Sequence, residues 1–466
     1  MAGEAVWWSL SEQLAAIHNG TLAAEDLAQA YLARIDRFDG DLASFVTVDA
    51  RAPERGRGTD EAVLAGETVP PLAGAMIGVK DNYTTEAFPT RAGTNVAELD
   101  FPQEDSFAVQ QIRASGGGIL GKTRMHEFAW GNITPPTRNP WAANYVPGGS
   151  SGGSGAAVAA GLCSAALGSD TGGSVRIPAA VCGTVGLKPT FGALGRTGII
   201  PHSWSLDHPG PITRSVRDAA LMMTVMAGPD ARDPSSVDVS GGAYLDACSE
   251  SLAGRSVGVI RNHFGERLAP DVARRFDEAL AFLRDSGVSV REFEVPSLDY
   301  GLAAIFAIEL ASASAYHDRA VQTGLTDGFQ DDVRDLVDMG RFVTAVDYLH
   351  AEQIRSVMCA EFTEVLQTVD VIASPTCPIT AWPSGQWTVD VDGEDEHVLA
   401  ASWRFTYPFD LTGMPAISVP AGLDDKGLPI GLQFAGRPFR EVDVLSFAAA
   451  YERAHDWGSH RPPGFD

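Results

Sequence analysis

Residues 148–178 read GGSSGGSGAAVAAGLCSAALGSDTGGSVRIP. A Gly/Ser-rich loop at 148–154 leads into a run of small apolar residues, and a second Gly-rich loop follows at 170–174. Glycine has no Cβ, so a backbone rich in it can turn its N–H groups inward and approach a ligand closely. The run at 156–167 is too short and too rich in small residues to span a bilayer. The stretch therefore predicts two loops that are held in place by one buried helix.

Short apolar runs alternate with helical patterns in the rest of the chain. Strands that alternate with helices are typical of a sheet whose two faces are covered by helices. We predict an α/β fold with a large mixed central β-sheet sandwiched between α-helical layers. The runs that predict strands are 76–79, 119–121, 257–260, 288–295, 369–373, 417–420 and 432–435.

The whole chain, 1–466, is predicted to form a single domain. A polar segment at about 229–254 could be a linker between two domains or a surface insertion. We favour an insertion, because apolar strands resume after it and the last of them could complete the first sheet. The other predicted segments are helices over about 9–36 with Ser9 and Thr21 as N-caps, an exposed polar stretch at 51–70 and a variable helical region at about 300–365.

The charge of the chain bears on its partners. Asp and Glu number 60 against 34 Lys and Arg, which gives a formal net charge of −26. Such a surface repels phosphate backbones and anionic lipids. We therefore expect a small-molecule substrate, no nucleic-acid partner and no membrane partner.

The cysteines and histidines give no sign of a metal or a disulfide framework. The five cysteines are odd in number and widely spaced without a CxxC, and no HExxH is present. The N-terminus has no basic segment followed by an apolar run, so it does not resemble a secretory signal peptide. We expect a cytoplasmic protein with reduced thiols, no metal and no organic cofactor.

Two glycine motifs match patterns of other enzyme classes. Residues 116–123, GGGILGKT, match a phosphate-binding loop, and 149–153, GSSGG, match the nucleophile elbow of α/β-hydrolases. A phosphate loop lies between a strand and a following helix, whereas here the predicted helix comes first and the strand second. The elbow needs a strand just before its serine, and 146–148, VPG, is a poor strand. We predict neither function.

The two loops and the helix between them resemble the amidase signature family, and the resemblance covers most of the chain. Its order and spacing of motifs are specific, since each further segment matches in the expected place. The matching segments are GVKDN at 78–82, GKT at 121–123, NPW at 139–141, GLKPT at 186–190, GPI at 210–212, GMP at 413–415 and LPIGLQ at 428–433.

The resemblance implies the amidase-signature fold and a Ser-cisSer-Lys catalytic group. Ser174 of the second loop corresponds to the nucleophile that accepts the acyl group. Ser150, after a cis peptide bond from Gly149, corresponds to the proton relay, and Lys80 corresponds to the base. The family's oxyanion hole corresponds to the backbone N–H groups of Thr171, Gly172, Gly173 and Ser174.

Physical reasons for these roles can be stated separately. A serine hydroxyl is a weak nucleophile and needs a neighbouring base. A lysine serves as that base only when it is neutral, and its ordinary pKa is about 10.4. Burial and hydrogen bonds to two hydroxyls would favour the neutral amine of Lys80. Ser150 would then take a proton from Ser174 and give one to Lys80, and the same relay would later protonate the departing amine.

Further residues are predicted to support or line the site. Ser151 is expected to hold the first loop by hydrogen bonding. Asp170 and Arg176 flank the second loop with opposite charges and are expected to fix it. The candidates for the substrate pocket are Met125, His126, Phe128, Trp130, Trp403 and Phe405. His126 is interpreted as a wall residue rather than an acid or base.

We expect a stand-alone hydrolase, a monomer or homodimer, that cleaves C–N bonds of amides or carbamates, as amidases and urethanases do. One alternative is the glutamine-hydrolysing A subunit of a tRNA-dependent amidotransferase, which the chain resembles in length and motifs. That role needs a carboxylate for the α-amino group of glutamine, and the stretch 401–408, ASWRFTYP, where the family has an Asp, contains no acid. A second alternative is a biuret or allophanate-type ureide hydrolase. The apolar pocket candidates fit an aryl amide or carbamate better.

Overall fold

One mixed β-sheet organises the protein in a computed structural model that describes residues 2–466. In the described part of the chain it has eleven strands, in the order β1-β3-β2-β4-β6-β5-β12-β13-β9-β7-β8, and β10 and β11 form a separate hairpin. The strands are β1 Phe45–Val48, β2 Met76–Lys80, β3 Gly118–Thr123, β4 Ala165–Asp170, β5 Val185–Lys188, β6 His208–Thr213, β7 Ser256–Ile260, β8 Ser289–Phe293, β9 Val371–Pro375, β10 Thr388–Val391, β11 Glu394–His397, β12 Ala416–Leu423 and β13 Pro429–Gly436.

Helices cover both faces of this sheet. They are α1 Ala2–Ala5, α2 Leu10–His18, α3 Ala24–Leu42, α4 Ala52–Leu64, α5 Phe107–Ala114, α6 Gly152–Ala159, α7 Arg176–Cys182, α8 Val216–Met226, α9 Tyr244–Ala247, α10 Pro270–Asp285, α11 Leu298–Thr323, α12 Asp331–Gly340, α13 Ala345–Leu366, α14 Val398–Trp403, α15 Tyr407–Leu411 and α16 Glu441–Ala454. On β2, Ile77 and Val79 pack in the core beneath α8 and α16, whereas Met76 packs on the opposite side with α6. The predicted fold class is confirmed.

Parallel pairing around β2 positions the site. β2 lies between β3 and β4 and runs parallel to both. The carboxyl ends of parallel strands meet at one edge of a sheet, so Lys80 and Asp170 end their strands side by side. All residues of β2 and β4 are buried, as expected for central strands covered on both faces.

The N-terminal region departs from the prediction in two places. Residues 51–70 are not simply an exposed stretch, because 52–64 form α4 against α3. Thr21 does not cap α3, which begins at Ala24. Instead Asp60 of α4 accepts the amides of Ala24 and Glu25 at 2.7 and 3.0 Å. A cap supplied by a distant carboxylate is invisible to a local search for capping residues.

The chain after the polar segment returns to the same sheet, since β9 pairs with β13 and β7 pairs with β9. One helix in the described residues, Leu298–Thr323, is long and apolar enough by composition to cross a membrane, and half of its most apolar window is buried. This helix packs against α12 and α13. Its apolar character is therefore explained by core packing.

Candidate active site

Lys80 lies at the centre of a buried polar cluster at the edge of β2. Its side chain is fully buried. Its Nζ donates to Ser150 Oγ at 2.7 Å and to Ser169 Oγ at 2.8 Å. Ser169 Oγ also accepts a hydrogen bond of 3.0 Å from the side-chain Nδ2 of Asn82. The lysine thus contacts two hydroxyls, one from the first loop and one from β4.

Burial sets the protonation of this lysine. Loss of solvent lowers the pKa of Lys80 from its ordinary value to about 7, against the weaker opposing effect of the Asp170 and Asp207 carboxylates. A pKa near neutrality leaves a large fraction of the amine unprotonated at pH 7. The group is therefore able to accept a proton.

The first loop carries Ser150 into contact with Lys80. The Gly149–Ser150 peptide bond is cis. Gly149 lies against the backbone of Ile133, where a Cβ would overlap it. Ser151 bonds both the N–H and the C=O of Ser169 through its hydroxyl, each at 3.3 Å. The loop is therefore held against the end of β4.

The second loop carries Ser174 between β4 and α7. Ser174 is partly exposed and lines a small cavity. Its hydroxyl has no hydrogen-bond partner within residues 2–466, so the structure joins Lys80 to Ser150 but does not close the relay to Ser174. The amides of Gly172, Gly173 and Ser174 have no backbone acceptor in that same range. These amides are available to an incoming oxyanion.

Contacts from three directions fix this loop. Thr171 Oγ1 donates to Asp207 at 2.7 Å, and Thr406 Oγ1 donates to the carbonyl of Gly172 at 2.5 Å. A Cβ at Gly172 would overlap the indole of Trp403. Residues on either side of the loop therefore leave no room for any side chain at Gly172.

Asp170 and Arg176 belong to a buried ionic network beneath the loop. Arg176 donates to Asp170 through Nε at 3.0 Å and Nη2 at 2.9 Å, and Nη2 also reaches Asp410 at 2.5 Å. Asp170 also accepts the amide of Val175 at 3.1 Å. All three charged side chains are fully buried. Arg176 holds the pKa of Asp170 below its usual range, whereas burial and the neighbouring Asp170 raise that of Asp410.

The cavity beside Ser174 has a volume of about 20 Å³. That is room for about one water molecule. It is lined by Ala129, Trp130, Gly131, Asn132, Thr171, Gly172, Ser174, Ile177, His202, Glu309, Leu399 and Trp403.

Two of the six pocket candidates, Trp130 and Trp403, line this cavity, and the other four do not. His126 is buried, and its Nε2 lies 3.1 Å from an Asp332 carboxylate oxygen. Phe128 packs against other aromatic rings, Met125 is buried, and Phe405 is buried in the core cluster that also contains Trp403.

Sequence reasoning missed several residues that shape the site. Ser169 could have been found, because it precedes Asp170 at the end of the strand beside Lys80. Thr406 and Asp410 were hidden by their distance along the chain, although both lie next to the matching segment at 413–415. Glu309 has no local motif at all, since it lies within the long helix α11.

The described residues contain no group of three or more His, Cys, Asp or Glu side chains placed to hold a metal ion. The groups that the site does present are serine and lysine side chains and backbone amides. A buried amine with a pKa near 7, a hydroxyl in contact with it and a second hydroxyl beside free amides form a set suited to acyl transfer.

Comparison with known proteins finds relatives over nearly the whole chain. A family model described as Amidase matches residues 26–445. The A subunit of glutamyl-tRNA(Gln) amidotransferase from Microcystis aeruginosa is 38% identical, over 95% of this chain and 97% of that protein.

Solved structures give the same relationship. One solved structure is a chain of a vestigial protein complex that is described as revealing the evolutionary origins of an s-triazine catabolic enzyme. It superposes with a TM-score of 0.92 at 32% identity, over 98% of this chain and 100% of the other chain. The A subunit of glutamyl-tRNA(Gln) amidotransferase from Thermotoga maritima has a TM-score of 0.80 and 34% identity, with 95% of each chain covered.

These relatives correct one expectation. The prediction of a monomer or homodimer without a nucleic-acid partner is wrong on this comparison, because similar proteins are named as subunits of an enzyme for glutamyl-tRNA(Gln). The error has a physical reason. A net charge of −26 describes how this chain alone meets a phosphate backbone, and the charge of one polypeptide does not determine what a complex containing it can bind.

Proposed function

The chain belongs to the amidase signature family. From that premise we propose that it hydrolyses the side-chain carboxamide of glutamine and acts as the A subunit of an amidotransferase. The observation that carries the chemistry is the 2.7 Å hydrogen bond from the buried Lys80 to Ser150, at the end of the strand next to β4, which leads into the loop of Ser174. The similarity to subunits over nearly the whole chain supports the assembly.

The reaction begins at Ser174. Its Oγ attacks the amide carbonyl, and its proton passes to Ser150 while Ser150 gives its own proton to neutral Lys80. The oxyanion that forms accepts hydrogen bonds from the amides of the loop at 171–174. A single donor of this kind contributes about 3 kcal/mol to stabilising a transition state.

Collapse of the intermediate breaks the C–N bond. Lys80 returns its proton through Ser150 to the leaving nitrogen, and ammonia departs while the acyl group stays on Ser174. Water then repeats the sequence, giving its proton to the same relay and releasing the carboxylic acid. In an amidotransferase the ammonia is passed on instead of being lost.

The residues that line the cavity bear on the choice of substrate. The volume of about 20 Å³ beside Ser174 holds about one water molecule, less than either glutamine or an aryl carbamate, so the volume does not choose between them. The absence of an acid at 401–408 counts against glutamine only if no other segment supplies one, and Glu309 of α11 lines the cavity. The feature of the cavity that favours an aryl amide or carbamate is its aromatic wall of Trp130 and Trp403, and Glu309 is the feature that favours glutamine.

The test is release of ammonia from L-glutamine by the chain alone and by the chain assembled with the remaining subunits and glutamyl-tRNA. We expect activity that increases on assembly and disappears in Ser174→Ala. Faster hydrolysis of 4-nitroanilides or aryl carbamates than of glutamine, with no effect of the other subunits, would contradict the proposal.

A second candidate is hydrolysis of a small ureide. It is favoured by the TM-score of 0.92 to the complex related to an s-triazine catabolic enzyme. Measuring ammonia release from biuret and from glutamine separates the two candidate functions. A pocket discriminates strongly between a substrate that pairs with the buried polar groups of the pocket and one that leaves them unpaired.

A further inference from the structure

Glu309 is a buried carboxyl with too few hydrogen-bond partners in the protein to account for its burial. It lies in α11, it is 2% exposed, and it lines the cavity that contains Ser174. Within residues 2–466 its Oε1 has no hydrogen-bond partner, and its Oε2 lies 3.5 Å from His202 Nε2. Buried polar atoms are nearly always paired, so an unpaired carboxylate oxygen at a cavity indicates a group that arrives from outside.

Two other unpaired polar atoms belong to residues that line the same cavity. The indole N–H of Trp130 and Nδ1 of His202 have no partner in the described part of the chain. The two rings meet edge to face with centroids 4.4 Å apart. Three segments thus bring unpaired polar atoms to one cavity, and each atom is costly to bury unless a ligand pairs with it.

The charged groups around Glu309 indicate whether that ligand group is a cation or an anion. Neither lysine nor arginine is among the described residues that line the cavity. Asp207 and Asp170 are near enough to add to the effect of burial and raise the pKa of Glu309 well above its usual value. Burial lowers the pKa of His202 to about 4, so this ring is neutral at pH 7. The carboxyl has negative neighbours and no positive one in the cavity wall, and a cation would be stabilised there.

We propose that Glu309 binds a protonated amino group on the acyl part of the substrate and so selects carboxamides that carry an amine. This inference rests on the proposed function, in which the α-ammonium group of glutamine fills that role. Trp130 lines the same cavity, and its unpaired N–H would supply a donor for an oxygen of the same substrate.

The experiment compares two amides that differ only in the amine. In 4-aminobutanamide the amine stands as many bonds from the amide as in glutamine, and butanamide lacks it. Ammonia release is measured as kcat/KM for the wild type, Glu309→Gln, Glu309→Asp and, as a matched control, Glu364→Gln, which is exposed on α13.

We expect the wild type and Glu364→Gln to prefer 4-aminobutanamide. Glu309→Gln should lower kcat/KM for that amide by about 10- to 100-fold, as loss of a charge-assisted hydrogen bond does, and leave butanamide within about twofold. Glu309→Asp should restore part of the preference. An equal fall for both amides, or no amine preference in the wild type, would overturn the inference.

A binding measurement separates this inference from the proposed function. We expect n-butylammonium chloride, compared with equal sodium chloride, to raise the melting temperature of the wild type and not that of Glu309→Gln. If glutamine is not hydrolysed but this shift is present, the glutaminase proposal fails and the amine site stands. If the two proteins shift equally or not at all, the amine site fails whatever the activity.

Discussion

Raising the pH from 6 to 8 is predicted to increase the reactivity of Ser174 about tenfold, because Lys80 loses its proton in that interval. With a pKa of about 7, the neutral fraction of this lysine is about one-tenth at pH 6 and about nine-tenths at pH 8. An ordinary lysine with a pKa of about 10.4 would be less than about 1% neutral throughout.

The magnitude follows from the surroundings of Lys80. Removal from water disfavours the ammonium form, and Asp170 and Asp207 offset only part of that effect. The Lys80 Nζ donates to Ser150 Oγ and Ser169 Oγ, hydroxyls that can accept from either protonation state. Desolvation therefore decides the direction of the shift.

The assay is the rate at which a fluorophosphonate labels Ser174, measured from pH 5.5 to 8.5. Labelling requires an activated serine and does not depend on the identity of the substrate. Ser174→Ala gives the background, and Lys80→Ala should reduce labelling to that background.

A second titratable group lies in the same cavity. Glu309 has a raised pKa and lines the same cavity as Ser174, so Glu309→Gln must be examined alongside the wild type. We expect this variant to keep the rise centred near pH 7. A flat profile, a rise that continues without levelling above pH 8.5, or a rise that disappears in Glu309→Gln would refute the assignment to Lys80.

Three further predictions concern the loop and its support. Arg176→Met leaves the buried Asp170 carboxylate and the neighbouring Asp410 carboxyl without their partner and should lower the free energy of unfolding by about 3–5 kcal/mol, measured by urea denaturation. Gly172→Ala places a Cβ in the indole of Trp403 and should lower kcat at least about 100-fold, whereas Gly58→Ala, with open space around it in α4, should leave kcat unchanged. The pKa of Lys80 is lowered in the folded state, so the unfolded state binds more protons between about pH 7 and 10.5. The free energy of unfolding of the wild type should therefore rise by about 3 kcal/mol from pH 7 to 10 relative to that of Lys80→Met. Parallel curves of unfolding free energy against pH for the two proteins would contradict this.

The sequence was most informative where structure is local. Runs such as 257–260 and 417–420 are buried strands in the structure because central strands of a sheet covered on both faces are continuously apolar. The helix-before-strand order around 116–123 was also readable, since α5 ends at Ala114 and β3 begins at Gly118. Each of these features depends on a few neighbouring residues.

Features that depend on distant packing were not accessible in this way. The start of α3 depends on Asp60 from another helix, and the contents of the cavity depend on how α11 crosses the site. Glu309 is the one Asp, Glu, Lys or Arg between Asp299 and Asp318, but nothing in that apolar stretch tells which part of the protein its side chain meets. Its place beside Ser174 is a property of the packed fold, because residues far apart in the chain form the cavity together.

Asp170 links the rigidity of the oxyanion loop to the basicity of the lysine. Its carboxylate accepts from Arg176 and from the amide of Val175, so it fixes the residues that follow Ser174. The same charge raises the pKa of Lys80 against the effect of burial. A neutral residue at 170 would therefore loosen the loop and also make the lysine easier to deprotonate, two changes with opposite effects on the rate. Since the loop sets the geometry of every transition state in the cycle, whereas the lysine gains at most a larger neutral fraction, loss of the loop should dominate.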